Sequence, residues 1–498
     1  MKELFQLYFL FFKMGIVNFG GGYAMLPLLD RELVEKRGWA TSEELADYYA
    51  VGQCTPGAIA VNVSTFIGMK RHGILGGILA TLGFVSPAFL IIFVIASLLT
   101  NFSSNIYVLN ALAGIRVCVF FLVLSAIVKL VKKSVMDVFG VLIMTIVGLM
   151  AIFVDAIPLY VYVILAAVFG ILINVIKEKR RIKKQENYDE STEEKSPKEE
   201  VVKTNKGMNL LFTFIGFLLG IAIGPFGILL GKIMKNPSYK KGVYASLVLW
   251  FIVWIGLIVL FIYGDPIIFV LYLQFFKVGI CAFGGGLATI PFLKELGEST
   301  GWFTQLDLAN MIAVSESTPG AMGVNMSTYV GYMVLNNYYH NFGLSFVGSI
   351  ISTLGLVSPS IIVITIVASF LNKFKTNKYV EWVFYGLRAA SVGLVIAALY
   401  SILEVSLFNQ YQTITDGVAT QVDCISHSWN LAFSGLSSFE DFFPSLANFM
   451  SYLFNWKAVA IGLLFGIGIF KFKKHPIIYI AIAALCGIIF QMYSVIII

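Results

Sequence analysis

Residues 53–68 read QCTPGAIAVNVSTFIG, and the pattern returns at 316–331 as ESTPGAMGVNMSTYVG. In each copy a Thr-Pro-Gly corner (Thr55, Pro56, Gly57; Thr318, Pro319, Gly320) interrupts an apolar run. At fixed spacing it is followed by Asn62, Ser64 and Thr65, or by Asn325, Ser327 and Thr328. Thr before Pro predicts helix starts at Pro56 and Pro319, because the hydroxyl caps unpaired amides and Pro at the first helical position has no amide proton to lose. At membrane depth such a start presents unpaired N–H groups and the positive end of a helix dipole, which suits an anion.

The flanking sequence supplies the membrane. The chain is 58% hydrophobic and 13% charged, its mean hydropathy is +0.85, and several apolar runs reach spanning length, more than a soluble core requires. Lys13 interrupts the first run and no small-residue cleavage site follows, so no removable signal peptide is read. The net charge of +7 falls at segment ends, as in cytoplasmic loops, and does not read as a nucleic-acid surface. Cys54, Cys118, Cys281, Cys424 and Cys486 show no CxxC spacing, and the four His are scattered, so neither a disulfide framework nor a metal site is indicated.

The duplication extends well beyond the corners. Lys13, Gly15, Phe19, Gly20, Gly21 and Gly22 match Lys277, Gly279, Phe283, Gly284, Gly285 and Gly286, and Trp39 matches Trp302. Thr81-Leu82-Gly83 with Ser86-Pro87 matches Thr353-Leu354-Gly355 with Ser358-Pro359; Gly114 and Arg116 match Gly386 and Arg388. The expected organisation is a first repeat at 1–176, a charged cytoplasmic linker at 177–206, a connector at 207–266, and a second repeat at 267–498 with a polar loop at about 404–455. In the first repeat, positive charge follows the second and fourth segments (Lys70, Arg71; Lys129, Lys132, Lys133) and then fills the linker. In the second it follows the third and fifth (Lys373, Lys375, Lys378; Lys471, Lys473, Lys474). Opposite parity implies inverted repeats, so 243–263 is read as crossing and 208–231 as a re-entrant or interfacial hairpin at Gly224-Pro225. The fold expected is an all-α polytopic membrane protein of two inverted-topology repeats. Each has helices broken or re-entrant at Gly-Gly-Gly and Thr-Pro-Gly, plus about four spanning helices.

Arg116 and Arg388 stand near the middle of spanning runs, where a lone Arg costs at least ~2.5–3.5 kcal/mol; they are read as anion counter-charges. Asn62 and Asn325 add neutral donors, and Ser64, Thr65, Ser327 and Thr328 add hydroxyls. The glycine run and corner of each repeat aim helix starts at the repeat interface. Gln53 corresponds to Glu316, which places one carboxyl beside the second corner and makes this pair the coupling candidate. No metal pattern, no nucleophile beside a base and no nucleotide-binding loop is present, which argues against an enzyme or an ATP-driven pump. A passive anion channel or exchanger would share the helix-end site and differ in lacking a coupling residue.

At these residues the sequence resembles the chromate ion transporter family in its long form, with two fused homologous halves. The resemblance rests on Phe19-Gly20-Gly21-Gly22, the stretch 35–39, Gly52-Gln53 with Thr55-Pro56-Gly57, and 62–68, together with their second-half partners. Family members often carry Gly-Gly-Pro and Pro-Gly-Pro where this chain has Gly20-Gly21-Gly22 and Pro56-Gly57-Ala58. The resemblance implies a secondary active transporter in the inner or plasma membrane that exports chromate or a sulfate-like tetrahedral oxyanion. It implies no cofactor; the partners expected are the anion, the lipid bilayer and a coupling proton, with a homodimer as candidate assembly.

Overall fold

The computed structural model describes residues 2–18, 25–102, 105–135, 137–154, 156–189, 266–368, 377–415, 418–433, 442–472, 474–493 and 495–497. Gly20, Gly21 and Gly22, the linker from 190 to 206, the connector up to 265, and Lys373, Lys375, Lys473 and Ile498 lie outside the described residues.

The protein is a multi-pass helical membrane protein. Among the described residues, five helical stretches are long and apolar enough to cross a bilayer: Ile59–Thr100, Ile106–Lys132, Leu159–Ile182, Phe342–Ala368 and Lys378–Leu407. The first half opens with α1 (Lys2–Val17), α2 (Met25–Leu29, followed by a π turn over Asp30–Glu35) and α3 (Ser42–Cys54). It continues with α4 (Ile59–Asn101), α5 (Ile106–Ser134), α6 (Val138–Phe153) and α7 (Leu159–Asp189). The second half repeats this order with α8 (Pro266–Cys281), α9 (Ile290–Thr300), α10 (Gln305–Ser317), α11 (Met322–Tyr339), α12 (Phe342–Ala368) and α13 (Lys378–Leu407). After α13 come β1 (Gln410–Thr415), β2 (Val418–Val422), α14 (Cys424–Phe433) and α15 (Phe442–Leu453), then α16 (Trp456–Phe472), α17 (Pro476–Ile489) and β3 (Val495–Ile497).

Around the corner the first half folds as stacked helical hairpins. Helix α3 starts on a capping box between Thr41 and Glu44 and runs down to the corner; the first arm of α4 then runs back along it. Lys70 pairs with Glu44 at 2.7 Å, Tyr48 stacks on Phe66 at 5.3 Å, and Asn62 reaches the Gly52 carbonyl at 3.1 Å. Contacts nested in this order require antiparallel arms joined at the tip. Helix α4 itself breaks at His72 and Gly73, whose backbone angles are not helical. Its two arms, 59–71 and 74–101, lie face to face, because a Cβ on Gly68 would come within 2.2 Å of the Gly76 carbonyl oxygen and Thr65 and Thr81 share a hydroxyl hydrogen bond of 2.6 Å. In the second half His340 turns the chain between α11 and α12, and the Thr328–Thr353 hydroxyl pair at 2.7 Å takes the same place.

The feet of these hairpins gather at one end. His72 meets Glu3 at 3.3 Å, Arg71 lies over Trp39 at 4.8 Å, and the buried Glu32 carboxylate accepts from Lys36 and Arg37, which hold it down at about 2. The start of α1, the 30–44 stretch and the turn at 72 therefore share one face of the protein. Lys177 with Asp137 and Lys378 with Glu178 tie the end of α7 to the starts of α6 and α13.

One element departs from the all-helical expectation. Within the stretch read as a polar loop, β1 pairs antiparallel with β2, from Tyr411 opposite Val422 to Thr415 opposite Val418, and parallel with β3 near the C-terminus. The sheet is small and ties the chain end to the segment after α13.

Gly57 sits at φ +95°, where only glycine is at ease, and a Cβ there would fall 1.7 Å from Ser360 Oγ. Gly57→Ala should therefore lower thermal stability in detergent by more than the ~1–3 kcal/mol of the backbone strain. Gly73→Ala, at φ +61° with nothing within 4 Å, should show the backbone cost alone.

Candidate functional site

The corner differs in detail from what its sequence suggests. Thr55 is extended and caps the end of α3: its buried hydroxyl donates back to the Val51 carbonyl at 3.0 Å, as Thr318 does to Val314 at 2.8 Å. Neither threonine caps the helix that follows. Those helices begin three residues after the prolines, at Ile59 and Met322, with Ala58 and Ala321 as N-caps that offer no side-chain hydrogen bond. The physical reason is glycine: Gly57 and Gly320 take φ of +95° and +114°, so a helix cannot run through them. The consequence preserves an anion-suited geometry, because two helix starts are left without side-chain caps inside the protein.

Asn62 and Asn325 hold the corners shut. Asn62 Nδ2 donates to the Gly52 carbonyl at 3.1 Å, to Thr55 Oγ1 at 3.0 Å and to the Pro56 carbonyl at 3.1 Å. Asn325 Nδ2 does the same with Thr318 Oγ1 and the Pro319 carbonyl, both at 3.1 Å. The hydroxyls are likewise engaged within the hairpins: Ser64 and Thr65 donate to Val61, and Ser327 and Thr328 to Val324. All six residues are fully buried. Their donors face inward to the corner and the hairpin seam.

The corners meet across the two halves. The Gly57 amide donates to the Ala282 carbonyl at 2.8 Å, and the Gly320 amide donates to the Asn18 carbonyl at 2.8 Å. Asn18 and Ala282 each lie at the end of the first helix of their own half, directly before the sequence Phe-Gly-Gly-Gly, so each Thr-Pro-Gly corner docks on the end of the other half's first helix. Pro56 pairs with Phe283 in an isolated antiparallel bridge. Gly284 and Gly285 take φ of +100° and +109°, and Gly286 packs against Met322, the first residue of α11. Behind the corners the exchange repeats. Ser360 donates to the Pro56 carbonyl at 3.2 Å, and its counterpart Ala88 lies against Gly320.

The two arginines sit differently. Arg116 on α5 is 5% exposed; it donates to Asn310 Oδ1 on α10 at 2.8 Å, and its Nε has no partner. Arg388, on α13, is half-buried. Glu316 is half-buried in the last turn of α10, and no hydrogen bond or ion pair holds its carboxylate among the described residues; Gln53 occupies the equivalent place on α3. A cavity of about 440 Å³ opens at the foot of α9 and α10, lined by Lys294, Glu298, Thr304, Glu404, Asp423 and Cys424 among others. Sequence reasoning passed over Asn18, Asn310 and Ser360. The signal was available as polar differences between copies: Asn18 against Ala282, Asn310 against Asp47, Ser360 against Ala88.

A family model described as chromate transporter matches residues 5–171 and 269–488, one segment in each half. The chain is 24% identical over 403 residues to a chromate transport protein of Pseudomonas aeruginosa, covering 80% of this chain and 81% of that protein. It is 22% identical over 403 residues to a chromate transport protein of Cupriavidus metallidurans, covering 81% and 83%. It is also 24% identical over 393 residues to an uncharacterized transporter of Methanocaldococcus jannaschii, covering 79% and 82%. No solved structure matches the chain.

Because the Asn62 amide serves three acceptors at once, Asn62→Ala and Asn325→Ala should each destabilise the protein by ~1–3 kcal/mol through buried groups left unpaired. Thermal unfolding in detergent reads this. An unchanged transition would mean the corners do not depend on the amide.

Proposed function

The chain belongs to the chromate transporter family, and on that premise we propose that it is a secondary active transporter exporting a tetrahedral oxyanion of the chromate type. The relatives named for chromate transport supply the substrate class; the family is one of transporters, not of enzymes. The observation that carries the reading is the reciprocal docking of each buried Thr-Pro-Gly corner on the end of the other half's first helix, at Ala282 and Asn18. Broken helices meeting between two halves are where inverted-repeat transporters keep their substrate, and uncapped helix starts there attract negative charge.

Inverted topology is supported by packing between equivalent helices. In α4 and α12, Phe89 meets Phe346, while Phe93 meets both Phe346 and Phe342, so these matching helices run antiparallel. Two hairpins of the first half would then enter from the cytoplasm, with Arg31, Lys36, Arg37, Lys70 and Arg71 at their feet. Those of the second half would enter from outside. The arms of α3 and α10, 13 residues each and so about 20 Å long, are too short to span about 30 Å of hydrocarbon. This favours re-entrant hairpins over crossings. The repeats are placed at 1–176 and 267–498, with the linker and connector between them.

In the transport cycle the oxyanion comes from the cytoplasm to the corners, where the helix starts at Ile59 and Met322 supply positive dipole ends. Arg116 and Arg388 supply full charge on either side. Alternating access follows from one half rocking against the other. Glu316 is the coupling group: ionised, it repels a dianion, and protonated it does not, so anion and proton load together. A dianion leaving with one proton still carries one negative charge outward, and an inside-negative potential drives that exit at about 2.3 kcal/mol per 100 mV.

Two experiments test this. With single cysteines in a cysteine-free background, Glu35→Cys should react with an impermeant thiol reagent from the cytoplasmic side only, and Thr304→Cys and Gln491→Cys from the outside only. Labelling of Thr304→Cys and Glu35→Cys from the same side would rule out inverted repeats. In proteoliposomes, with pH gradient and voltage set independently, labelled chromate should accumulate in response to either. Glu316→Gln should keep exchange of substrate and lose accumulation driven by pH. Accumulation in response to voltage but not to the pH gradient in the unaltered protein would instead identify a channel or uniporter.

A further inference from the structure

The two corners are built alike and surrounded unequally. The residue whose carbonyl receives the corner amide is Asn18 at the second corner and Ala282 at the first. The helix before the corner carries Ser315 and Glu316 at the second, against Gly52 and Gln53 at the first. Buried polar atoms without a hydrogen-bond partner follow the same bias. Among the described residues, both side-chain polar atoms of Asn18, the Ser315 hydroxyl and Asn325 Oδ1 have none. At the first corner the equivalent set has only Asn62 Oδ1.

The residues that carry these atoms are neighbours around Gly320 and Asn325. Asn18 is joined to Gly320 through its carbonyl at 2.8 Å, a Cβ on Gly320 would lie 2.8 Å from Asn325 Oδ1, and Asn325 Nδ2 reaches the Ser315 carbonyl at 3.5 Å. Asn18 is 2% exposed. Folding does not normally leave both ends of a buried amide unsatisfied, and such groups call for a ligand or a functional role.

We propose that the second corner is the oxyanion site, that the Asn18 amide is a ligand within it, and that the anion is taken with a proton attached. This rests on the transport reading above and narrows it. The unused donors are the Asn18 NH2 and the Ser315 O–H. The unused acceptors are Asn18 Oδ1 and Asn325 Oδ1. A fully deprotonated tetraoxyanion brings acceptors alone, satisfies the donors, and leaves two carbonyl oxygens facing negative charge. A hydrogen oxyanion turns its O–H to one of them. A site with buried polar groups left unmatched rejects the wrong ligand far more steeply than one that differs in size.

The test uses the purified full-length protein in detergent and its thermal transition at constant ionic strength, with sodium phosphate, chromate and sulfate as probes between pH 6 and 8. Phosphate carries an O–H throughout this range, sulfate carries none, and the protonated form of chromate recedes as pH rises. Phosphate and chromate should stabilise the protein at concentrations at least tenfold below sulfate, with the chromate effect fading toward pH 8. Asn18→Ala should leave the transition without anion unchanged or raised, since an unsatisfied amide is removed, and should raise the phosphate requirement at least tenfold. Asn18→Asp, equal in shape, should abolish the response, and it serves equally if the Ala variant does not fold. An equal response to sulfate and phosphate, or an unaltered phosphate response in both variants, overturns the proposal while leaving the transport reading intact. A protein stabilised by none of the three anions counts against both.

Discussion

Everything in this fold depends on what happens to backbone amides where helices stop inside the protein. An unpaired N–H in hydrocarbon costs several kcal/mol, and each half makes its break with a corner that it does not pair by itself. The Gly57 amide is satisfied by Ala282 and the Gly320 amide by Asn18, so each half completes the other. The two halves thus have a reason to stay together that hydrophobic burial, weak between lipid-soluble helices, does not supply. Small residues let the exchange reach the outer helices too. Gly114 of α5 lies against Ala483 and Gly487 of α17, and Gly386 of α13 lies against Ala166 and Gly170 of α7.

Duplication provides the frame, and departures from it provide chemistry. The residues identical in both copies, Thr55 and Thr318 or Asn62 and Asn325, build the corners and use their donors within them. Of the polar atoms left over, Asn62 Oδ1 and Asn325 Oδ1 belong to the identical set, while the Asn18 amide and the Ser315 hydroxyl stand at positions that differ. Arg116 faces the neutral amide of Asn310 at 2.8 Å, while the position matching Asn310 in the other half holds Asp47. A buried guanidinium with a neutral partner keeps its charge uncompensated, whereas a carboxylate at that distance would cancel most of it. Identity between the two copies thus builds the corners, and the proposed asymmetry between them rests on the positions that differ.

The sequence carried much of this. Recurrence of the corner located the breaks before Ile59 and Met322, the glycine run located the one at Gly284-Gly285, and the parity of Lys and Arg underlies the topology proposed above. Local rules misplaced the helix starts by three residues, because Thr-Pro was read as a cap while the glycine after it dictates the backbone. The roles of Asn62 and Asn325 were hidden for a related reason: a side chain that turns back to bond carbonyls six and ten residues earlier leaves no periodic trace. The small sheet was legible and overlooked. Asp416-Gly417 between two alternating runs is a strong hairpin signal, but it was masked by reading the whole region as a polar loop.

The lengths of the arms explain why the breaks meet at all. In the inverted arrangement proposed here, α3 descends about 20 Å from one face and α8, 16 residues long, descends about 24 Å from the other. Their sum exceeds a hydrocarbon core of about 30 Å, so the tips must pass beside each other instead of meeting end to end. Passing side by side allows Pro56 to form an antiparallel bridge with Phe283: two extended segments travelling in opposite directions at the same depth can exchange backbone hydrogen bonds as strands do. The length of α3, set by a capping box at one end and a glycine corner at the other, therefore fixes where the first corner meets Phe283.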